Sequence, residues 1–121
     1  MAQTFFRRHA RRPVKAALLM QDGFPGVGNW MADEILWRAR LDPRRLSGSL
    51  EPTAVLRLWR TVRTVCRGAL RSIGRDFSDP PKGWLFHQRW HDGGVCPRHR
   101  APLRRAQVAT RTTAWCPECQ T

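Results

Sequence analysis

The stretch CPRHRAPLRRAQVATRTTAWCPEC, residues 96–119, places four metal-ligand side chains in two pairs. Cys96 and His99 stand three apart, Cys116 and Cys119 stand three apart, and sixteen residues separate the pairs. Two such knuckles bring four soft or borderline donors to one tetrahedral zinc at roughly 2.0–2.3 Å, with room between them for a β-hairpin. A disulfide with a leftover thiol is the competing reading, but the histidine that completes a set of four favours zinc. Four protein ligands leave no position for substrate, so the one ion is expected to be structural. Within this finger, 102–109 and 112–115 read as antiparallel strands, and the tip 109–111 is expected to lift Arg111 away from the body.

Working outward, the chain of 121 residues fits one modest domain or two small ones. A terminal segment of about 25 residues has too small a core to fold without a staple, which the metal supplies. The net charge of +13, from 22 basic against 9 acidic residues, points to a polyanion, and nucleic acid is the first candidate. All the basic residues except Lys15 and Lys82 are arginine, the side chain that pairs with phosphate through two parallel hydrogen bonds. There is no signal-peptide pattern and no apolar run of about 18 residues, so a soluble, intracellular, membrane-free protein is expected, in a reducing setting where Cys66 stays a thiol.

Residues 1–12 carry Arg7, Arg8, His9, Arg11 and Arg12 around Phe5 and Phe6 and read as a helix end or a loose basic arm. Pro13 opens a short apolar helix to Met20. Gly23, Gly26 and Gly28 then break the helix, and Asn29 is expected to cap an amphipathic helix over 30–40. Exposed amides in a glycine turn at a helix start form an anion site, so this turn is either a phosphate contact or a plain connector. Pro52 starts a longer helix to about Ile73, with an apolar stripe that includes Cys66 and a face of arginines. Cys66 is thus expected in the core. Residues 74–83 cannot hold regular structure, and 84–90, WLFHQRW, read as a strand or a rigid connector.

With both motifs in view, the chain resembles the C-terminal half of a formamidopyrimidine-DNA glycosylase or endonuclease VIII type DNA repair enzyme. In that family a motif similar to RRPVKAALLMQ and PGVGNWMADEILWRARLDP belongs to a helix-two-turns-helix domain, and a zinc finger with a β-hairpin ends the protein. The resemblance implies a mainly α fold: a helix-two-turns-helix bundle over 1–75, a linker over 76–95, and a zinc-stapled hairpin over 96–121. It places Asn29 on the asparagine that binds a backbone phosphate beside the damaged nucleotide, and Arg111 on the finger arginine that grips the other flanking phosphate. Together the two bend the backbone so that a damaged base leaves the stack. Gly26 and Gly28 match the turn glycines, and Lys15 matches a position read as a structural or phosphate contact. Cys96, Cys116 and Cys119 match zinc cysteines, while His99 departs from the usual fourth cysteine. Met31 and Met20 also depart from the pattern, so the lesion preference does not carry over.

The resemblance implies base excision repair on double-stranded DNA, damaged or abasic. The family's N-terminal proline nucleophile and its glutamate have no counterpart here, since the sequence begins Met1-Ala2-Gln3. The candidate amines here are the N-terminus, Lys15 and Lys82, and whether this chain is an enzyme is open. The expectation is the DNA-binding half of a bifunctional glycosylase/AP lyase whose catalytic domain is missing or separately encoded. The alternative is a free-standing zinc-dependent DNA-binding module without catalysis. An RNA-binding zinc module shares the charge but leaves the glycine turn unexplained.

Overall fold

The computed structural model describes residues 2–75 and 77–121. Met1, whose amine is a candidate nucleophile, and Asp76, in the expected linker, lie outside the described residues. Four α-helices come first: α1 (Ala2–Arg8), α2 (Val14–Leu18), α3 (Asn29–Ala39) and α4 (Pro52–Ala69). A π-helical turn, Leu70–Arg75, extends α4, and a 3-10 turn, Leu85–Gln88, leads to the antiparallel hairpin β1 (Arg104–Val108) and β2 (Arg111–Trp115). The mainly α bundle followed by a terminal hairpin matches the expectation from the sequence.

Periodicity explains α4. Val55, Leu58, Val62, Val65 and Ala69 recur at three and four and are buried, while Pro52 sits in the first turn where its missing N–H costs nothing. The same stripe meets Val14, Leu18, Ile35 and Leu36 in one helical core. Residues 2–8 are ordered helix, not a loose arm, because Phe5 and Phe6 dock on Phe24 with ring centroids 5.4 and 5.7 Å apart. Aromatic burial outweighs the solvated charge at Arg7 and Arg8.

A second, smaller cluster holds Leu85, Cys96, Cys116 and Cys119, and Trp37 of α3 completes it. The helix thus lends one side chain to the finger. The finger's end returns the contact: Asp42 N–H donates to the Thr121 carbonyl at 2.9 Å, and Gln120 Nε2 donates to the Leu41 carbonyl at 2.9 Å. These contacts follow the exit of α3, where Arg40 takes the left-handed C-cap conformation at φ 62°.

Two local expectations are corrected. Gly28, not Asn29, is the N-cap of α3, and no side chain caps that helix. Of the two readings for 84–90, the strand is overturned: the segment holds a 3-10 turn over Leu85–Gln88, and the Leu85 and Phe86 amides donate to Glu34 rather than to a neighbouring strand. The hairpin tip is also tighter than expected. Ala109 and Thr110, at φ 54° and 64°, make a two-residue turn between Val108 and Arg111, which face each other in register.

Gly94 marks a close approach of backbone to backbone. A Cβ there would collide with the Gln88 carbonyl oxygen, just before the Val95–Pro102 bridge that opens the finger. Gly94→Ala is expected to cost about 1–3 kcal/mol in thermal unfolding, as other forced overpacking does; an unchanged midpoint would mean that the 88–94 turn shifts freely.

Candidate nucleic-acid interface and metal centre

The glycine turn is open on its outer side. Gly26 lies at φ +88°, and a Cβ on Gly26 or Gly28 would meet nothing within 4 Å. Gln21 braces the turn from inside: its Oε1 accepts from the Gly26 N–H at 2.9 Å, and its Nε2 donates to the Val27 carbonyl at 3.1 Å. With no side-chain cap, the first amides of α3 stay available beside this opening.

Asn29 turns toward the hairpin instead of capping. Its Nδ2 donates to the Thr112 carbonyl at 2.9 Å, and its Oδ1 is buried without a hydrogen-bond partner. The same carbonyl accepts from Lys15 Nζ at 3.1 Å and from an Arg89 terminal nitrogen at 3.1 Å. Three donors from three parts of the chain therefore fix the residue that follows Arg111. The arginine side chain is exposed and makes no ion pair among the described residues.

Asp33 holds this junction together. Its Oδ1 lies 2.8 Å from Lys15 Nζ, and its Oδ2 accepts from Arg89 Nε at 3.0 Å and from the Ala114 N–H at 3.0 Å. Lys15 Nζ also donates to Thr113 Oγ1 at 2.6 Å. Lys15 and Asp33 are fully buried, and Arg89 is 3 % exposed. Burial pushes the Lys15 ammonium below its ordinary pKa; Asp33 pulls it back up, while the charges of Arg89 and Arg111 push it further down. Two cations, Lys15 and Arg89, thus share one carboxylate, and the nearby charge of Arg111 is unpaired among the described residues, which leaves the surface around it electropositive. Of the two roles weighed for Lys15, the geometry supports the structural one, because its ammonium sits behind the surface and ties β2 to α2 and α3.

Glu34, the next residue, faces the other way. Its carboxylate accepts from the Leu85 N–H at 3.1 Å, the Phe86 N–H at 2.9 Å and Arg38 Nε at 3.3 Å. Burial raises its pKa against those lowering contacts. Sequence reading missed Gln21, Asp33, Glu34 and Arg89. The available signal was the acidic pair Asp33-Glu34 inside a helix of a strongly basic chain.

Three of the four expected metal ligands cluster. The Sγ atoms of Cys96, Cys116 and Cys119 lie within 4.8 Å of one another and are buried, whereas His99 is exposed and outside that group. Three thiols at this spacing fit a tetrahedral thiolate site. Burial opposes ionisation of Cys96, yet hydrogen bonds from Trp37 Nε1 at 3.3 Å and from the backbone of His99 and Arg98 outweigh it and lower its pKa. Cys119 is pushed up to about 12, first by burial and then by Cys116 and Cys96 beside it. A bound cation removes that conflict, which is how such a donor set fits a metal. Cys66 stands apart against the helical core, and burial raises its thiol pKa, as expected for an inert core cysteine.

Residues 2–79 match the family profile described as "Formamidopyrimidine-DNA glycosylase H2TH domain". The formamidopyrimidine-DNA glycosylase of Thermus thermophilus is 39% identical over 128 residues, covering 96% of this chain and 48% of that protein. That of Pelotomaculum thermopropionicum is 36% identical over 122 residues, covering 94% and 44%. The chain spans about half the length of the relatives it matches. The Lactococcus lactis Fpg, solved in complex with an abasic site containing DNA, shares the fold at a TM-score of 0.82 and 24% identity, covering 100% of this chain and 47% of that one. No described helix is long and apolar enough to cross a membrane. By its profile match over residues 2–79 and its identity to these relatives, this chain belongs to the formamidopyrimidine-DNA glycosylase family.

Proposed function

We propose that this chain binds the backbone of double-stranded DNA at a damaged or abasic nucleotide, as the DNA-binding half of a base excision repair glycosylase/AP lyase. The observation that carries the reading is the Thr112 carbonyl, which ties Asn29, Lys15 and Arg89 to the residue beside Arg111. Asn29 has a second amide hydrogen to offer one phosphate, with the open backbone at Gly26 and Gly28 alongside. Arg111 takes a second phosphate from the hairpin. Because both stand on one rigid junction, their separation is fixed, and a duplex must bend to satisfy both. Asp33, Lys15 and Arg89 set the position of these groups without touching DNA. Zinc, held by Cys96, Cys116 and Cys119 with His99 as fourth ligand, supplies folding energy and no chemistry.

Fluorescence anisotropy on a duplex with one abasic site tests this. Arg111→Ala is expected to weaken binding by about 1–3 kcal/mol and to flatten the slope of log K against log salt by about 0.9, the loss of one phosphate contact. An unchanged slope removes Arg111 from the interface. Borohydride treatment of the same complex is expected to leave no covalent adduct, since Lys15 Nζ is buried in its ion pair with Asp33 and catalysis belongs to the other half. A trapped adduct overturns the assignment of catalysis elsewhere and leaves DNA binding standing.

A further inference from the structure

One face of α4 is a stripe of cations that the proposed lesion site does not use. Arg57, Arg60, Thr64, Arg67 and Arg71 recur at three and four, so they line up along the helix and its π-helical extension. All five are exposed, and α4 contains no acidic residue. No carboxylate pairs with these arginines among the described residues. Arg57 Nε alone is engaged, by the Ala39 carbonyl at 3.3 Å.

The stripe lines two concave surfaces that meet at Arg38 of α3. A groove of about 490 Å³ is lined by Arg38, Arg57, Arg60, Thr61 and Thr64, and one of about 340 Å³ by Arg38, Arg67, Arg71 and Trp84. Arg38 is held in place between them, with Nε on Glu34 and its guanidinium 4.2 Å above the Trp84 ring. The Thr61 and Thr64 hydroxyls donate to the Arg57 and Arg60 carbonyls, which leaves guanidinium groups as the donors facing outward.

From this geometry we infer a second DNA-binding track, in which the α3/α4 groove takes successive phosphates of a duplex outside the lesion. Like charges three and four apart on a helix destabilise it, and surface helices ordinarily intersperse acids to relieve the repulsion. Here nothing relieves it until a polyanion does. Arg57 to Arg67 spans about 15 Å at 1.5 Å per residue, and phosphates along one strand advance about 3.4 Å each, so the track matches several consecutive phosphates. The outward donors are the guanidinium groups of Arg38, Arg57, Arg60, Arg67 and Arg71, which outnumber the apolar side chains of the lining, Leu56, Pro81 and Trp84, and this repeated charge fits a regular phosphate backbone. The stripe shares no residue with the Asn29–Arg111 site, so its contribution does not depend on the lesion.

Anisotropy titrations of the full chain at several salt concentrations, on an undamaged duplex and on the same duplex with one abasic site, separate the two sites. For Arg60→Gln/Arg67→Gln/Arg71→Gln the salt slope is expected to flatten by about 2–3 on both duplexes, with the abasic preference ratio unchanged. The corresponding triple lysine variant is expected to keep the wild-type slope, because charge and not side-chain shape carries the contact. If the triple glutamine variant fails to fold by circular dichroism, Arg67→Gln alone carries the test with a slope change of about 0.9. An unchanged slope overturns the track, as does a loss confined to the abasic duplex or a stronger effect on an RNA duplex. Arg111→Ala, by contrast, lowers the abasic ratio; if it alone has no effect, the lesion-site reading fails while the track stands.

Discussion

Replacing Asp33 with alanine is expected to cost about 3–5 kcal/mol of folding stability, the range for removing one partner of a buried ion pair. The carboxylate is the one anionic acceptor shared by Lys15 and Arg89 among the described residues, and it also receives the Ala114 N–H of β2. Without it, two cations stay buried side by side and a strand amide loses its partner, so Coulomb repulsion adds to the desolvation penalty. Salt will not rescue the variant, because buried charges are poorly screened. Urea unfolding followed by far-UV circular dichroism measures the loss. A change below about 1 kcal/mol would mean that water reaches the junction and that the ion pair does not hold β2 to α3. The Asp33→Ala/Lys15→Met double variant is expected to recover part of the loss, because it removes one of the stranded charges.

Asp33 and Glu34 explain why one helix can serve two neighbours. Consecutive residues on a helix point about 100° apart, so Asp33 reaches α2 and the hairpin while Glu34 reaches the turn at Leu85 and Phe86. One acidic dipeptide in α3 thereby positions Arg111 on one side and the entry to the finger on the other.

What the sequence revealed follows from the range of each interaction. The three-residue spacing within each ligand pair is local, so Cys96, Cys116 and Cys119 could be grouped from the sequence, although His99, grouped with them by the same spacing, lies outside their cluster; the apolar repeat of α4 could be read within its own length. Lys15 shows the limit. Its partners Thr112 and Thr113 lie 97 and 98 residues away, and nothing near Lys15 separates a buried lysine from a surface one. Asn29 failed as a cap for the same reason: a good local capping residue has its side chain claimed by a distant carbonyl, and the glycine before it takes the cap position. Arg89 was hidden among aromatic residues, and Arg40 takes a left-handed C-cap conformation that a sequence reader expects to find at glycine.

Removing the metal is the other large perturbation expected, and its effect should be unequal along the chain. Purified protein is predicted to carry one zinc ion per chain by elemental analysis. A chelator, or Cys116→Ser, should melt the finger, since metal binding and folding of so small a core are one event, worth up to about 10–16 kcal/mol of apparent binding energy in comparable sites. Most of the helical signal should survive, because Val14, Leu36, Leu58 and Val65 pack in a cluster of their own. The loss should still reach α3 through Trp37, whose ring belongs to the finger cluster and whose Nε1 donates to Cys96 Sγ at 3.3 Å. Trp37→Phe keeps the apolar surface but removes that donor, and is expected to weaken metal affinity by about 10–100-fold, as the loss of a group that orients a ligand does. Competition with a chromophoric chelator measures it. Lower pH should weaken the site as well, because the Cys119 thiol, pushed up to about 12 without metal, must release its proton to bind. If Trp37→Phe binds metal as tightly as the parent chain, the indole has no part in holding Cys96, and α3 and the finger are joined by packing alone.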